Sequence, residues 1–286
     1  MANLKEIRNR ISSIGSTMQI TKAMKMVSAA KLKKAQDAIT QMRPYANKLT
    51  ELLQNLSASL DDDATGVYST QREVSNVLLV VITSNRGLCG GFNSSIIKAT
   101  KKHIATNYAG KNVDLFTIGK KGDAILAKEL KVIENNITIF DDLTFDNTAV
   151  IAESLMTQFT EGNYDKIEII YNRFKNAATQ ITTVEQFLPI KPIEGGTAIN
   201  TDYLFEPSKS EIILELIPKS LKTQLYKAIR DSYASEHGAR MTAMHKATDN
   251  ATELRDDLKL TYNKARQSAI TNEILEIVGG AEALNG

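Results

Sequence analysis

At 286 residues, with 42% apolar and 24% charged side chains, the chain has an ordinary globular composition and length for one large domain or two modest ones. A formal net charge of +2 says little about partners on its own. A single cysteine, Cys89, excludes an internal disulfide and a multi-thiolate zinc site. The longest unbroken apolar run, Val77–Ile82, is far short of the ~20 residues a membrane-spanning helix needs. The amino terminus, MANLKEIRNR, is charged at once, without the apolar stretch of a signal sequence or an acid-poor, Ser-rich leader, so an unexported, soluble chain is expected.

The first block, residues 1–60, reads as one long helix. Asn3 followed by Glu6 has capping-box spacing. Counting from Leu4 in alternating steps of three and four gives Ile7, Ile11, Ile14 and Met18, an apolar seam. The same count then meets Thr21, Lys25 and Ser28 before resuming at Leu32, Ala35, Ile39, Met42, Ala46, Leu49, Leu53 and Leu56. Over those two turns Met24, Met26 and Val27 lie off the seam. Residues 1–56 hold ten Lys and Arg against three acids, a net of +7, so the remainder is about −5 by difference from the total of +2. Pro44 predicts a kink or short break near Met42–Arg43; the 40 or so residues before it would extend roughly 60 Å. Asp61-Asp62-Asp63 and Gly66 predict a solvated turn that ends the block.

The second block, residues 74–206, changes period. VLLVVI is a continuous, largely β-branched run, the pattern of a strand buried on both faces. The glycine-rich loop SNRGLCGGFN follows, then a helix over roughly 94–108. VDLFTIG predicts a second strand, 122–129 a short helix, TAVIAESLMTQF a third helix and KIEIIYNRF a third strand. TQITTVEQFLPI, ended by Pro189, is placed antiparallel to its predecessor. The strand–helix alternation predicts an α/β domain with a mostly parallel sheet.

The third block, residues 208–286, passes Pro218 and then runs free of proline from about Lys219 to Val278, with Gly279-Gly280 as the expected stop. About 60 helical residues would reach roughly 90 Å, too long for a compact domain of this size. Because domain ends commonly lie together at the surface, the first and last helices are expected to run antiparallel as a stalk. The last helix would offer Leu254, Leu258, Ala265, Ile270, Ile274 and Ile277 to the seam.

The chemistry-bearing residues resist assembly into an active site. SNRGLCGGFN sits where doubly wound folds hold phosphate, but it is neither G-x-G-x-x-G nor G-x-x-x-x-G-K-[ST]. A tight turn that leaves Arg86 free for an interface contact is the preferred reading. His103, His237 and His245 form no H-E-x-x-H pattern and read as solvated or packed side chains. Asp141-Asp142 and Asp256-Asp257 read as a turn and an exposed helix face, with nothing nearby to make either an acid–base pair. No cofactor and no metal is implied. The basic first helix leaves a nucleic-acid-binding hairpin open, though no aromatic residues interleave for base stacking. A nucleotide-dependent enzyme built on the second block is the other alternative.

Four segments carry a resemblance that covers essentially the whole chain: IRNRISSIGSTMQITKAMKMVSAAKL, SNRGLCGGFN, SEHGARMTAMHKATDNA and YNKARQSAITNEILEIVGGAEAL. In this order they resemble the gamma subunits of bacterial F-type ATP synthases. In the last, Ile270, Thr271, Glu273, Glu276, Gly280, Ala281 and Ala283 fit the family's carboxy-terminal pattern. The resemblance implies a long antiparallel coiled coil of the amino- and carboxy-terminal helices, attached to a Rossmann-like α/β domain. It implies a non-catalytic central rotor shaft within a hexamer of alternating alpha and beta subunits. The α/β domain would rest with the epsilon subunit on the membrane-embedded c-ring, so that ion flow is coupled to ATP synthesis or hydrolysis. Such a subunit is peripheral, at the cytoplasmic face of the bacterial inner membrane. Carried over residue by residue, Met24, Lys25 and Met26 would meet the moving acidic lever loops of the beta subunits. Arg240, Arg266, Gln267, Thr271 and Glu273 would make polar contacts there; their plain reading is that of solvated helix residues. Chloroplast-type members carry an inserted pair of regulatory cysteines. With Cys89 alone, that thiol switch is not expected here.

Overall fold

A computed structural model describes residues 4–57, 67–190 and 209–285. The expected Asn3 cap and the Asp61–Gly66 turn lie outside them. Among the described residues five α-helices and five strands follow in chain order: α1 (Leu4–Ser57), β1 (Asn76–Ile82), α2 (Phe92–Asn107), β2 (Asn112–Ile118), α3 (Lys120–Leu126), β3 (Val132–Asn136), α4 (Phe145–Thr160), β4 (Lys166–Phe174), β5 (Gln180–Leu188) and α5 (Lys209–Asn285). Two compact units emerge: Met1–Ser28 with Met241–Gly286, and Ala29–Arg240.

The larger unit is built on a five-stranded sheet of order β3-β2-β1-β4-β5. β1 pairs parallel with both β2 and β4, β2 pairs parallel with β3, and β5 closes the edge antiparallel to β4. The run Val77–Ile82 is completely buried, as its unbroken apolar character requires of a central strand. Its side chains alternate between two cores. Leu78, Val80 and Ile82 pack with α4 (Ile151, Leu155, Phe159) and with Leu221 and Leu225 of α5; Val77, Leu79 and Val81 pack with Phe92 and Ile96 of α2 and Leu126 of α3. A side chain of this kind stabilises by about 1.5–3 kcal/mol when fully buried, so β1 anchors both layers. β3, with the sequence VIENN, has neither an apolar run nor an alternation. Its position comes from pairing beside β2, which no period in the sequence announces.

Neither a helix break at Pro44 nor a stop at Gly279-Gly280 is present. α1 continues through Pro44 without a break, and α5 starts at Lys209, nine residues before Pro218. An interior proline costs ~3 kcal/mol. Around Pro218 that cost is offset by the burial of Ile217, Leu221 and Leu225 against the sheet. Gly279-Gly280 does not end α5 either, and the helix formers Ala281, Glu282 and Ala283 follow directly.

The smaller unit pairs the first part of α1 antiparallel with the last part of α5. Arg8 donates to the Tyr262 hydroxyl at 2.7 Å, Thr252 to Met18 Sδ at 3.3 Å, and Thr248 to the Thr21 hydroxyl at 2.8 Å. As the α1 number rises the α5 number falls, which is the antiparallel order. The side of α5 turned inward is Met241, Met244, Thr248, Ala251, Arg255, Leu258, Tyr262 and Ala265, all buried or half-buried and spaced three and four apart. Of the expected partners, Leu258 and Ala265 belong to this seam. Leu254, Ile270, Ile274 and Ile277 are instead about half exposed or more. The reason is register: Arg8 is only four residues past the start of α1 and already faces Tyr262. Beyond Ala265, α5 has no partner helix among the described residues.

Candidate subunit interfaces

The stretch TKAMKMVSAAKL keeps the seam's phase. Thr21 and Ser28 are buried and Lys25 is half-buried, on the same count that buries Ile7 before them and Leu32, Ala35 and Ile39 after. Thr21 meets Thr248, and in the same register Lys25 and Ser28 fall opposite Met244 and Met241, so the larger side chain at these turns comes from α5. The Thr21 hydroxyl donates to the Met18 carbonyl at 3.1 Å and accepts from Thr248, so the buried polar atoms are satisfied. With the seam filled this way, the larger apolar groups turn outward. Met26 is 60% exposed, Val27 58% and Ile20 60%, and Met24 is half-buried.

A second outward group lies on the carboxy-terminal part of α5. Arg266, Gln267, Thr271 and Glu273 are all exposed, and Thr271 donates to the Gln267 carbonyl of its own helix at 2.9 Å. Ile270, Ile274, Leu275, Ile277 and Val278 are exposed among them. The Thr21–Thr248 register sets Met24–Met26 beside residues 243–245, so the nearer ends of the two groups stand about 30 Å apart along the helix axis at 1.5 Å per residue. They lie in separate regions of one unit.

Arg240 belongs to the larger unit and is only 6% exposed. Its guanidinium donates to the Arg86 carbonyl at 3.0 Å and to the Gly87 carbonyl from Nε at 3.3 Å and Nη2 at 3.2 Å. Nη1 pairs with Glu236 at 2.7 Å and lies 3.3 Å from His237 Nδ1. Since arginine has only donors, Nδ1 must be the acceptor, which leaves the imidazole proton on Nε2. Burial, with the charges of Arg240 and Lys31 near, pushes the His237 pKa down to about 3. Burial likewise raises Glu236, against the pull of Arg240. The tyrosine ring of Tyr233 packs edge-on against His237, centroids 4.5 Å apart.

The loop that Arg240 grips is fastened from its other side by Asn93. The Asn93 amide nitrogen donates to Ser84 Oγ at 2.8 Å and to Cys89 Sγ at 3.2 Å, and its oxygen accepts from the Ser84 backbone at 3.0 Å. Ser84 Oγ in turn donates to the Arg86 carbonyl at 2.7 Å. The Phe92 amide at the mouth of α2 is already bonded to the Cys89 carbonyl at 3.3 Å. These contacts organise a tight turn, not a phosphate cradle. Leu88, at φ 61°, is 65% exposed, and Arg86 also faces outward. The glycine spacing already fits neither phosphate fingerprint, and the side chain that fastens the turn, Asn93, comes from the following helix.

The other titratable cluster is internal scaffolding. Glu168 accepts from Lys166 at 2.9 Å and lies 2.6 Å from His103 Nε2, whose Nδ1 is 2.8 Å from the Asn107 amide. Burial alone would raise Glu168, but hydrogen bonds from His103, Lys166 and Tyr108 outweigh it and hold the carboxyl below its ordinary value. Burial pushes Tyr108 up to about 12. These groups satisfy one another on β4 and the end of α2. His245 is exposed beside Asp249 at 3.3 Å, and Asp141, Asp142, Asp256 and Asp257 are exposed as well. Among the described residues no three His, Cys, Asp or Glu side chains gather as metal ligands, and no helix is long and apolar enough to cross a membrane.

A family model described as ATP synthase matches residues 3–284. The ATP synthase gamma chain of Flavobacterium psychrophilum is 72% identical over 287 aligned residues, covering all of both chains. A chain from the central stalk and c-ring structure of the Tetrahymena thermophila mitochondrial ATP synthase superposes with a TM-score of 0.60 at 29% identity, over 80% of this chain and 99% of that one. A chain of the Euglena gracilis mitochondrial ATP synthase shares the fold over 98% of this chain and 94% of its own, with a TM-score of 0.72 at 23% identity. The chain belongs to the ATP synthase gamma-chain family, in its bacterial form.

Proposed function

We propose that this chain is the central rotor shaft of an F-type ATP synthase. It makes no covalent bond itself and couples ion flow through a c-ring to ATP synthesis or hydrolysis in a hexamer of alpha and beta subunits. The observation that carries this reading is the outward apolar surface of the smaller unit. Ile20, Met26 and Val27 lie exposed on α1 outside a seam that is already filled, and Ile270, Ile274, Leu275, Ile277 and Val278 lie exposed on α5 beyond Ala265, where no described helix packs against it. So much unburied apolar surface fits helices enclosed by other subunits. The family's membership in the ATP synthase complex, and the central-stalk assignment of the Tetrahymena relative, support the same reading.

The α/β unit would bind the epsilon subunit and rest on the c-ring, at the cytoplasmic face of the bacterial inner membrane. Met24, Lys25 and Met26 would face the acidic lever loops of successive beta subunits. Methionine, being flexible and polarisable, suits changing partners. Arg266, Gln267, Thr271 and Glu273 would add polar contacts farther along α5 that form and release as the shaft turns. Arg240 joins them through the loop whose carbonyls it holds.

Reconstitution tests the reading. Mixing the chain with matching alpha and beta subunits should give a discrete particle and ATPase activity only when all three are present. A chain that stays monomeric and inert beside competent alpha and beta subunits overturns it. Met24→Lys should lower the ratio of ion pumping to ATP hydrolysis, because a second cation would grip an acidic lever too tightly to release; an unchanged ratio would remove Met24 from the contact.

A further inference from the structure

One stretch of α5 is fastened to its surroundings more densely than any packing argument requires. Ser235 Oγ donates to the Asn172 carbonyl in β4 at 2.8 Å. At Gly238 the backbone comes so close that an added Cβ would lie 3.2 Å from Ala177 Cα, in the turn after β4. Two residues on, the Arg240 guanidinium spans the successive carbonyls of Arg86 and Gly87 while pairing with Glu236. A buried ion pair is by itself weak ground for stability, because apolar replacements of similar volume commonly do as well. What an apolar residue could not supply is a planar fork that engages two neighbouring carbonyls and a carboxylate at once.

We infer that Arg240 is a positioning residue: it locks the loop Asn85–Gly90 onto α5, so that a load applied to the exposed Arg86 and Leu88 side chains passes into the helix instead of bending the loop. The role rests on the shaft reading, since a turning shaft is what places load on this loop. Its first residues have other restraints: Asn85 donates to the Ile137 carbonyl at 2.7 Å and accepts from the Lys120 backbone at 3.1 Å, and the Arg86 carbonyl also accepts from Ser84 Oγ at 2.7 Å. Asn93 holds its ends through Ser84 and Cys89, and the Arg86–Gly87 peptide between them is gripped by Arg240. Leu88 follows in the left-handed region at φ 61°, a conformation that a side-chain-bearing residue keeps only when its neighbours hold it.

Cys89, the sole cysteine and 2% exposed, reports on the lock without added labels. The experiment measures its modification by a thiol reagent in the purified chain, and the ratio of ion pumping to ATP hydrolysis in reconstituted complexes. Three chains are compared: wild type, Arg240→Gln and the milder Arg240→Lys, which keeps the charge beside Glu236 but loses the fork. Both variants should label Cys89 at least about tenfold faster, the size expected on losing charge-assisted hydrogen bonds that hold a loop closed. Both should also lower the coupling ratio. An unchanged labelling rate, or full rescue by Arg240→Lys, overturns the lock; faster labelling with an unchanged coupling ratio overturns its load-bearing role. Failure of the wild-type chain to assemble would count against the shaft reading alone and leave the labelling result standing.

Discussion

His237 shows how much a single position can depend on what surrounds it. Its spacing in SEHGAR marks only a helix; its chemistry comes from burial beside Arg240 and near Lys31. The folded chain keeps the imidazole neutral down to about pH 3, whereas an unfolded chain protonates it near 6.5. The stability His237 contributes is therefore complete above about 6.5 and is lost as the pH falls toward 3, at up to about 1.4 kcal/mol per pH unit. Glu236 works in the opposite sense: its raised pKa makes the folded chain the better proton binder, so its contribution grows as the pH falls. His237→Gln should remove the first effect and keep the second. Denaturant unfolding at pH 7 and pH 5 should show the wild type losing up to about 2 kcal/mol more than the variant between the two; equal losses would mean that the imidazole is not held neutral. Glu236 and Arg240 were legible as a helical i,i+4 pair. Their burial was not, because it is imposed by a loop about 150 residues away in sequence.

At the scale of elements, the heptad count located the inward face of α1 from Leu4 to Leu49, including the turns where residue type argued against it, while Leu53 and Leu56 lie outside the described side chains. Thr21 and Ser28 are buried in phase with Leu32, Ala35 and Ile39. On α5 the expected partners Leu258 and Ala265 lie on the matching face, whereas the larger aliphatic residues Leu254, Ile270, Ile274 and Ile277 do not. The true face carries Thr248, Ala251, Arg255 and Tyr262, and small side chains let the two helices approach closely enough for hydroxyls to meet. Thr21 also donates to the Met18 carbonyl of its own helix, while the single Thr248 proton is shared between the Thr21 hydroxyl and the Met244 carbonyl. Thr21→Val and Thr248→Val should therefore be coupled by about 0.5–1.5 kcal/mol, with the double variant costing less than the sum of the singles. Strict additivity in a denaturant-unfolding cycle would mean the hydroxyls contribute nothing to each other. The first helix does not break at Pro44, and α5 carries Pro218 in the same way, where packing of the flanking Ile217 and Leu221 outweighs a local penalty.

For the whole molecule, fold class and family were legible from four ordered motifs and from the change of period between blocks. The carried-over contact residues were not grouped by sequence. Met24–Met26 and Arg266–Glu273 occupy separate regions of the smaller unit, while Arg240 is enclosed in the larger one. A site made for partner subunits has no internal chemistry to draw its members together, in contrast to an active site. The account stands or falls on motion. A bead attached to a cysteine introduced at the exposed Lys102, in a particle held to a surface by its beta subunits, makes that motion visible. On adding ATP, the bead should turn continuously in one direction and stop when the ATP is consumed. A particle that hydrolyses ATP at full rate while its bead only fluctuates in place would contradict the shaft role.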